Sequence, residues 1–289
     1  MSTSQETSGA NAEQIETWNG TTGEKWVAHQ DRLDRMLAPF GEKLLEAAHV
    51  QPGEHVLDIG CGCGVTTLDV ARAAGAGGHV LGVDISAPMI ARARDRAAAE
   101  GSTATFELAD ASSHAFAPGT YDLVVSRFGV MFFDDPVGAF ANLHTALKQT
   151  GRLVFVCWRP LGENAWVSVP LRAALAHVAP PAPPPPGTPG PFAFADKAHV
   201  TGILESAGFR EIALTPFDAT LTLGASGPGA MDEALLQTSE IGPVSRLLAD
   251  QPDEVRARVR ASIREALAEH LTANGMSLGG AVWIVTARA

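Results

Sequence analysis

Three glycines that follow a short apolar run form the most distinctive chemical motif of the chain. The run Val56–Ile59 is long enough for one buried strand, and Gly60, Gly62 and Gly64 alternate with two cysteines directly after it. Glycine tolerates positive φ and lets a ligand approach the backbone closely. The segment 65–74 is predicted to be helical, and the first N–H groups of a helix are free to bind a ligand. Strand, glycine loop and helix together predict a nucleotide-binding site.

Three carboxylates stand at comparable places in successive predicted strands. Asp58 lies in the first strand, Asp84 ends the second, and Asp110 follows the third. A carboxylate at the end of the second strand can accept both hydroxyls of a ribose, which suits NAD as well as S-adenosylmethionine (SAM). The glycine spacing, Gly-x-Gly-x-Gly, departs from the Gly-x-Gly-x-x-Gly of dinucleotide folds. The third acid favours SAM, and a glycine turn in an ordinary α/β protein is the alternative.

Strands and helices alternate through the first half of the chain, which predicts a parallel sheet with helices on both faces. The predicted strands are 55–59, 79–83, 103–108, 121–126 and 152–158, and the predicted helices are 65–74, 87–100 and 136–148. Ligands of such sheets bind at the carboxyl ends of the strands. The polar and aromatic residues expected together at that rim are Asp58, Asp84, Asp110, Ser126, Arg127 and Trp158.

These motifs resemble those of the class I SAM-dependent methyltransferases. The similar segments are 56–64, 82–89, 109–111, 121–126 and 151–155, with a final strand at 281–287. The resemblance is strongest to the small-molecule branch near the ubiquinone and menaquinone C-methyltransferases. It implies a Rossmann-like, doubly wound, mostly parallel sheet of seven strands with an antiparallel last strand. It also implies methyl transfer from SAM to a small, hydrophobic or aromatic acceptor, which leaves S-adenosylhomocysteine as the product.

The resemblance also implies the cofactor-binding residues. The glycine loop would wrap the methionine part of SAM with Asp58 near its ammonium group, Asp84 would bind the ribose, and Asp110 would read the adenine edge. Asp84 could instead cap a helix, and Met89 could be a core residue. The implied cofactor-binding set is Asp58, Gly60, Cys61, Gly62, Gly64, Asp84, Ile85, Met89, Asp110, Ala111, Ser126, Arg127 and Trp26.

Methyl transfer from a sulfonium is an in-line displacement, so an enzyme contributes mainly positioning and desolvation. A base is needed only where the acceptor carries a proton to lose. The candidates near the rim are His29, Arg127 and His114, and each has a structural role as its alternative. An aromatic acceptor pocket is predicted around Trp158, Asn164 and Trp166, with core packing as the alternative for Trp166.

Composition narrows the classes of partner. The formal net charge of −11 argues against nucleic acid and against an anionic membrane surface, since both need a basic face. No apolar run reaches the roughly 18 residues of a membrane span. Cys61 and Cys63 have no further Cys or His at zinc spacing, so we expect no metal site and a reduced, cytoplasmic setting.

The chain divides into a core and three segments that would determine the acceptor. The expected units are a disordered tail (1–12), N-terminal cap helices (13–49), the SAM-binding core (50–160), a proline-rich crossover (161–195), the rest of the sheet (196–223 and 281–289) and an inserted helical lid (224–280). The predicted helix 252–270 has one apolar stripe, which is expected to lie over the rim as part of the lid. A homodimer interface is the alternative for that stripe.

Three other functions remain open at this point. A SAM-dependent cyclase would use the same fold for a reaction that is not methylation, and a SAM-binding regulatory protein would bind the cofactor without turnover. An NAD oxidoreductase would use a similar glycine loop.

Overall fold

The computed structural model describes residues 11–185, 187–224, 227, 229–273 and 275–289. In these residues, one β-sheet forms the centre of the fold and helices pack on both of its faces. The helices are α1 (Ala12–Asn19), α2 (Thr21–Ala28), α3 (Gln30–Ala48), α4 (Val65–Ala74), α5 (Ala87–Glu100), α6 (Pro136–Ala146), α7 (Ala165–Leu175), α8 (Lys197–Ser206), α9 (Ala230–Glu240), α10 (Pro243–Leu248) and α11 (Asp253–Ala268). The strands are β1 (His55–Ile59), β2 (His79–Asp84), β3 (Thr105–Leu108), β4 (Tyr121–Arg127), β5 (Leu147–Trp158), β6 (Arg210–Leu223), β7 (Leu271–Thr272) and β8 (Gly275–Arg288).

The strand order is β3-β2-β1-β4-β5-β8-β6, with the two-residue β7 paired to β8. Strands β1 to β5 pair in parallel, and β8 is antiparallel to both β5 and β6. This confirms the predicted doubly wound, mostly parallel sheet. The added short strand makes eight strands among the described residues, where seven were predicted.

The order of the strands reverses between β1 and β4, and a crevice opens beyond their carboxyl ends, as the rule for open α/β sheets requires. The chain leaves β1 through Gly60, which has φ +66° and lies so close to Gly129 that an added Cβ would stand 2.5 Å from the Gly129 Cα. A side chain at either glycine would push these two loops apart. The close approach of two backbones therefore shapes the floor of the crevice.

Helix α3 anchors the N-terminal segment to the sheet. Its apolar residues Leu33, Leu37, Phe40 and Leu44 recur at helical spacing and are buried against β4, β5, β6 and β8. The helix continues through Pro39, a residue type that ordinarily kinks or breaks a helix interior. Core packing on one face therefore outweighs the loss of one backbone hydrogen bond.

The segment predicted as a proline-rich crossover contains an unpredicted helix, α7. Its buried residues include Val167 and Pro170, and the prolines at 180–185 that follow are exposed and have no regular structure. Residues 188–192 then return to the carboxyl rim of the sheet. This one stretch of chain therefore serves both as the crossover and as part of the carboxyl rim.

The expected arrangement of the inserted segment is only partly found. Strand β8 begins at Gly275, six residues before the predicted strand, so the insertion ends earlier than 280. The apolar stripe of α11, formed by Val259, Ile263 and Leu267, is buried against α7 and α9. The prediction that this stripe covers the rim is therefore wrong. The stripe is also not exposed, as a dimer interface would require. Helices α9 and α10 reach the rim instead. Of the predicted disordered tail (1–12), residues 1–10 lie outside the described residues, but Asn11 and Ala12 form the start of α1, so the tail was predicted two residues too long. Residues 225, 226 and 228 of the predicted lid also lie outside the described residues.

Candidate active site

A cavity of about 700 Å³ opens at the carboxyl ends of β1 to β4. Its inner part is formed by the glycine loop and the acids that follow β2 and β3. Its outer part is formed by apolar side chains of α3 and α7 and by more polar residues of α9 and α10. We call these two parts the strand-end half and the helical half. A smaller pocket of about 60 Å³ lies behind the glycine loop and shares Trp26, Leu33, Gly60, Gly62 and Arg127 with the main cavity.

Asp84 fixes the glycine loop and remains on the cavity wall. Its Oδ2 accepts the N–H of Gly62 at 2.8 Å, and its Oδ1 accepts the N–H of Ser86 at 2.9 Å. Burial raises the pKa of the carboxyl, while these backbone hydrogen bonds oppose the shift. Asp84 therefore holds both the glycine loop and the residue that precedes α5, and its contact with a ribose stays a prediction. Each oxygen keeps a lone pair that a ribose hydroxyl could use.

Asp58 lies beneath the loop and is fully buried. Its Oδ2 accepts the hydroxyl of Thr67 at 2.7 Å, but its Oδ1 has no hydrogen-bond partner among the described residues. Burial raises the pKa of Asp58 to about 7, and the nearby Arg127 guanidinium partly opposes that shift. A buried carboxylate without a full set of partners is costly, so a cationic ligand above the loop would stabilise its ionised form.

The carboxyl group of Asp110 closes the far end of the strand-end half. It accepts hydrogen bonds from the side-chain amide of Asn11 and from Ser112. Sequence reasoning missed Asn11, because it lies 99 residues from Asp110 and outside any motif. The predicted residues that line the cavity beside Asp110 are Ile85, Met89 and Ala111.

A network of charges that the sequence did not reveal faces the small pocket. The carboxyl group of Asp34, on α3, accepts the side-chain amide of Gln30 at 2.6 Å and forms ion pairs with Arg96 at 3.1 Å and Arg127 at 3.7 Å. Burial lowers the pKa of Arg127, and the carboxylates of Asp34 and Asp58 oppose this shift. Asp34 has no motif around it, since its place depends on how α3 docks. A carboxylate and a guanidinium side by side suit the two charges of an amino-acid group.

Aromatic rings line the helical half. The rings of Phe128 and Trp158 stack with centroids 4.3 Å apart and an interplanar angle of 10°, and Trp166 lies 5.0 Å from Trp158. Phe128 has φ +68°, a strained conformation that places its ring on the cavity wall. The indole N–H of Trp166 and the side-chain carbonyl of Gln237 are buried with no partner among the described residues. Trp158 and Trp166 therefore line the cavity, where the sequence predicted an acceptor pocket.

Four predicted site residues have side chains that are bonded or ion-paired within the protein. The fully buried Asn164 accepts the N–H of Ala281 at 2.9 Å and donates to two carbonyls of its own loop, so it holds α7 to β8 and does not line the cavity. The hydroxyl of Ser126 donates to the carbonyl of Ile59 at 2.7 Å. The remaining two are histidines. The Nε2 atom of His114 lies 3.6 Å from Oε1 of Glu107, and the Nε2 atom of His29 is hydrogen-bonded to Oε2 of Glu240 at 2.5 Å. The pair of His29 with Glu240 joins the N-terminal helices to α9, and Glu240 lines the cavity.

The residues of the strand-end half are chemically suited to bind SAM. It has an unpartnered carboxylate oxygen of Asp58 beneath a glycine loop, and the carboxylates of Asp84 and Asp110 line the cavity beyond that loop. In the part of the chain that the structure describes, no cluster of three metal-ligating side chains occurs, and no helix is long and apolar enough to cross a bilayer.

Residues 56–151 match the protein family described as a methyltransferase domain. Among curated proteins, the chain is 36% identical over 127 residues to the aklanonic acid methyltransferase DauC of Streptomyces sp. (strain C5), covering 43% of this chain and 58% of that protein. It is 31% identical over 183 residues to the nocamycin O-methyltransferase of Saccharothrix syringae, covering 60% of this chain and 65% of that protein. The chain thus spans less than two thirds of the length of either relative.

Solved structures share the fold at low sequence identity. The YcgJ protein of Bacillus subtilis superposes with a TM-score of 0.57 at 15% identity, covering 87% of this chain and 98% of that one. Phosphoethanolamine N-methyltransferase 2 of Haemonchus contortus, in complex with S-adenosylhomocysteine, gives 0.56 at 16% identity, covering 93% and 58%.

Sheet order, strand-end site and family match together define a class I methyltransferase fold. Within that fold, residues 56–151 are the part of the chain that matches a methyltransferase domain, and the Haemonchus contortus structure of the same fold holds S-adenosylhomocysteine.

Proposed function

We propose that this protein is a SAM-dependent methyltransferase that acts on a small, hydrophobic or aromatic acceptor. The observation that carries the proposal is the continuity of the cavity. It joins a glycine loop and the carboxylates of Asp84 and Asp110 to a chamber walled by Phe128, Trp158 and Trp166. Bound SAM supplies an electrophilic methyl group on a sulfonium, and an acceptor in the helical half would stand next to it.

The adenosine part of SAM is assigned to the ends of β2 and β3. Asp84 would accept the ribose hydroxyls through its remaining lone pairs, and Ile85 and Met89 would pack against the adenine ring. Asp110 and the N–H of Ala111 would read the adenine edge. All five residues line the strand-end half of the cavity. Small-molecule sites usually combine apolar side chains, here against the adenine ring, with a few polar groups, here the carboxylates at its polar edges.

The methionine part is assigned to the small pocket. Asp34 and Arg127 would bind the ammonium and carboxylate groups, since the two side chains lie together beside Gly60 and Gly62. Asp58 lies below and would complement the positive charge of the ligand through the loop. This assignment gives Arg127 a cofactor-binding role in place of the catalytic role predicted from the sequence.

The chain's own residues would act mainly by placing the acceptor and excluding water. Where the acceptor has a proton to lose, we assign the base to the His29–Glu240 pair, because Glu240 lines the cavity and is bonded to His29. One relative bears the name of an O-methyltransferase, which favours oxygen over carbon as the acceptor atom. The quinone C-methyltransferase branch is the alternative proposal.

The helices around the opening are proposed as the cover of the active site. Helices α9 and α10 and the N-terminal helices line the cavity from opposite sides, and His29 joins them through Glu240. Hydrogen exchange should show protection of 230–248 and 13–35 when SAM and acceptor bind, at any protein concentration. Protection that follows protein concentration and ignores ligand would instead support a homodimer at this face.

The three free thiols favour the reducing cytoplasm expected from the sequence.

Transfer of a labelled methyl group tests the proposal. The purified protein is incubated with methyl-labelled SAM and a panel of hydroxylated aromatic compounds, and the products are analysed by mass spectrometry. Labelled product with one equivalent of S-adenosylhomocysteine is the expected result. Methylthioadenosine would indicate a cyclase-type reaction, and SAM binding without product across the panel would favour a regulatory role. Tighter binding of NADH than of SAM would overturn the proposal.

A further inference from the structure

The residue before α1 uses its side chain in an unusual way. Asn11 occupies the N-cap position, where an Asn side chain ordinarily accepts a backbone N–H of the first helical turn, but here it makes no such bond. It adopts φ +60°, a left-handed conformation that Asn tolerates better than other residues with a side chain. Its side chain is 3% exposed and turned away from the helix. The capping interaction is thus given up for another contact.

That contact is with the strand-end acid Asp110. The amide nitrogen of Asn11 lies 2.9 Å from Oδ1 and 3.1 Å from Oδ2 of Asp110, and 3.1 Å from the hydroxyl of Ser112. The amide oxygen of Asn11 accepts the N–H of Asp134 at 2.9 Å. The side chain therefore bridges the loop after β3 and the turn after β4, and it fixes the plane of the Asp110 carboxylate.

The two oxygens of Asp110 are unequally occupied. Oδ1 accepts the N–H of Ser112 at 2.9 Å, the Ser112 hydroxyl at 2.7 Å and the Asn11 amide. Oδ2 receives only the longer of the Asn11 contacts among the described residues. A carboxylate oxygen offers about two lone pairs, so Oδ1 is saturated and Oδ2 keeps one acceptor site. Asp110 and Asn11 both line the cavity.

Helix α1 itself is attached by polar contacts at both ends. None of its residues is buried, and at its C-terminal end Asn19 donates to the carbonyl of Ile85 at 2.8 Å and accepts the N–H of Ala87 at 2.9 Å. The hydroxyl of Ser86 donates to the carbonyl of Trp18 at 2.7 Å. Asn11 and Asn19 thus tie the same helix to the strand ends assigned to adenine and to ribose.

The geometry points to Asn11 as a positioning residue for adenine, which holds Asp110 so that Oδ2 presents its free lone pair to the 6-amino group. This inference rests on the proposed function, because it assumes that the strand-end half binds SAM. It predicts that Asn11 contributes to affinity only when the ligand carries the 6-amino group. Asn19, at the other end of α1, should contribute equally to the affinity of ligands with and without that group.

Calorimetry with two ligands tests the inference. The ligands are S-adenosylhomocysteine and its analogue whose purine lacks the 6-amino group. Each is titrated into the wild type, Asn11→Ala and the matched control Asn19→Ala, after circular dichroism has shown that all three are folded. Asn11 is buried, but it precedes α1, and that helix contributes no buried residue to the core, so we expect both variants to keep the fold.

The wild type should prefer the adenine ligand about tenfold, the effect of one hydrogen bond to a charged group. Asn11→Ala should reduce that preference to about twofold by weakening the adenine ligand alone, and Asn19→Ala should weaken both ligands equally. An unchanged preference in Asn11→Ala would overturn the inference while leaving SAM binding intact. Failure of the wild type to bind either ligand would overturn the proposed function itself.

Discussion

The two halves of the cavity are built in opposite ways. The strand-end half is polar and rigid, because its groups are backbone N–H donors and carboxylates at the ends of adjacent strands, held by bonds such as Gly62 to Asp84 at 2.8 Å. The helical half has an aromatic and aliphatic wall, with polar residues of α9 and α10 on one side. It is assembled from helices far apart in sequence, with Phe128 and Trp158 stacked together on its wall. One half offers hydrogen bonds to a ligand of defined shape, whereas the other mainly offers shape and exclusion of water.

This difference predicts which changes affect which ligand. A substitution in the strand-end half should lower SAM affinity whatever the acceptor is. A substitution in the helical half should change acceptor use and leave SAM affinity almost unchanged. Four experiments test this separation, taken from the largest expected effect to the smallest.

Gly62→Val should have the largest effect. Gly62 has φ +55° and its added side chain would point towards Met89, so a β-branched residue would strain the loop and enter ligand space. We expect SAM affinity to fall by about 100-fold or more in a folded protein, measured by calorimetry. Gly101→Val is the matched control, since Gly101 has φ +63° with no neighbour of its Cβ within 4 Å and lies outside the cavity. Near-normal affinity in Gly62→Val would remove the loop from the site.

Asp84→Ala should weaken SAM by about 1.5–3 kcal/mol, the range for hydrogen bonds to a charged group, or roughly 10- to 150-fold. The loss combines the ribose contacts with the support that Asp84 gives to Gly62. The exposed Asp95, on α5, serves as the control carboxylate. A dissociation constant within twofold of the wild type would contradict the ribose assignment.

The pH dependence of SAM binding should report on Asp58. Because burial raises its pKa to about 7, the folded protein favours the neutral form, and this contribution to stability is lost as pH rises from about 4 to 7. A cationic ligand favours the ionised form, so binding should release a proton below pH 7. We therefore expect SAM affinity to rise by up to about tenfold per pH unit between pH 5.5 and 7.

The control for that experiment is Asp58→Asn, which keeps the shape and cannot ionise. Its affinity should change much less over the same pH range. Equal slopes in the two proteins would show that another group titrates on binding.

Gln237→Leu should have the smallest effect and should separate the two halves. The Gln237 carbonyl is buried without a partner beside the helical half, so its removal should leave stability unchanged or slightly raised. We expect kcat/KM for the acceptor to fall by about five- to tenfold, with the SAM dissociation constant within twofold of the wild type. The exposed Leu236→Ala on the same helix is the control. Equal losses for SAM and acceptor would show that the two halves are not independent.

Local chemistry in the sequence determined the strand-end half. The alternation of strands and helices fixed the parallel sheet, and glycine spacing with an acid after each strand gathered Gly62, Asp84 and Asp110 at one rim. These predictions needed no long-range information, because the carboxyl ends of parallel strands meet at the same edge. The position of Trp158 on the cavity wall, at the end of β5, followed from the same rule.

Only the tertiary structure decided the partners that come from elsewhere in the chain. Asn11 reaches Asp110 across 99 residues, and the docking of α3 brings Asp34 to Arg127. Asn164, predicted to bind the acceptor, is buried by its bond to Ala281 on β8. No local pattern encodes such contacts, because each depends on which face a helix buries and on what packs against it. The apolar stripe of α11 was visible in the sequence, but its burial against α7 and α9, away from the rim, required the packed structure.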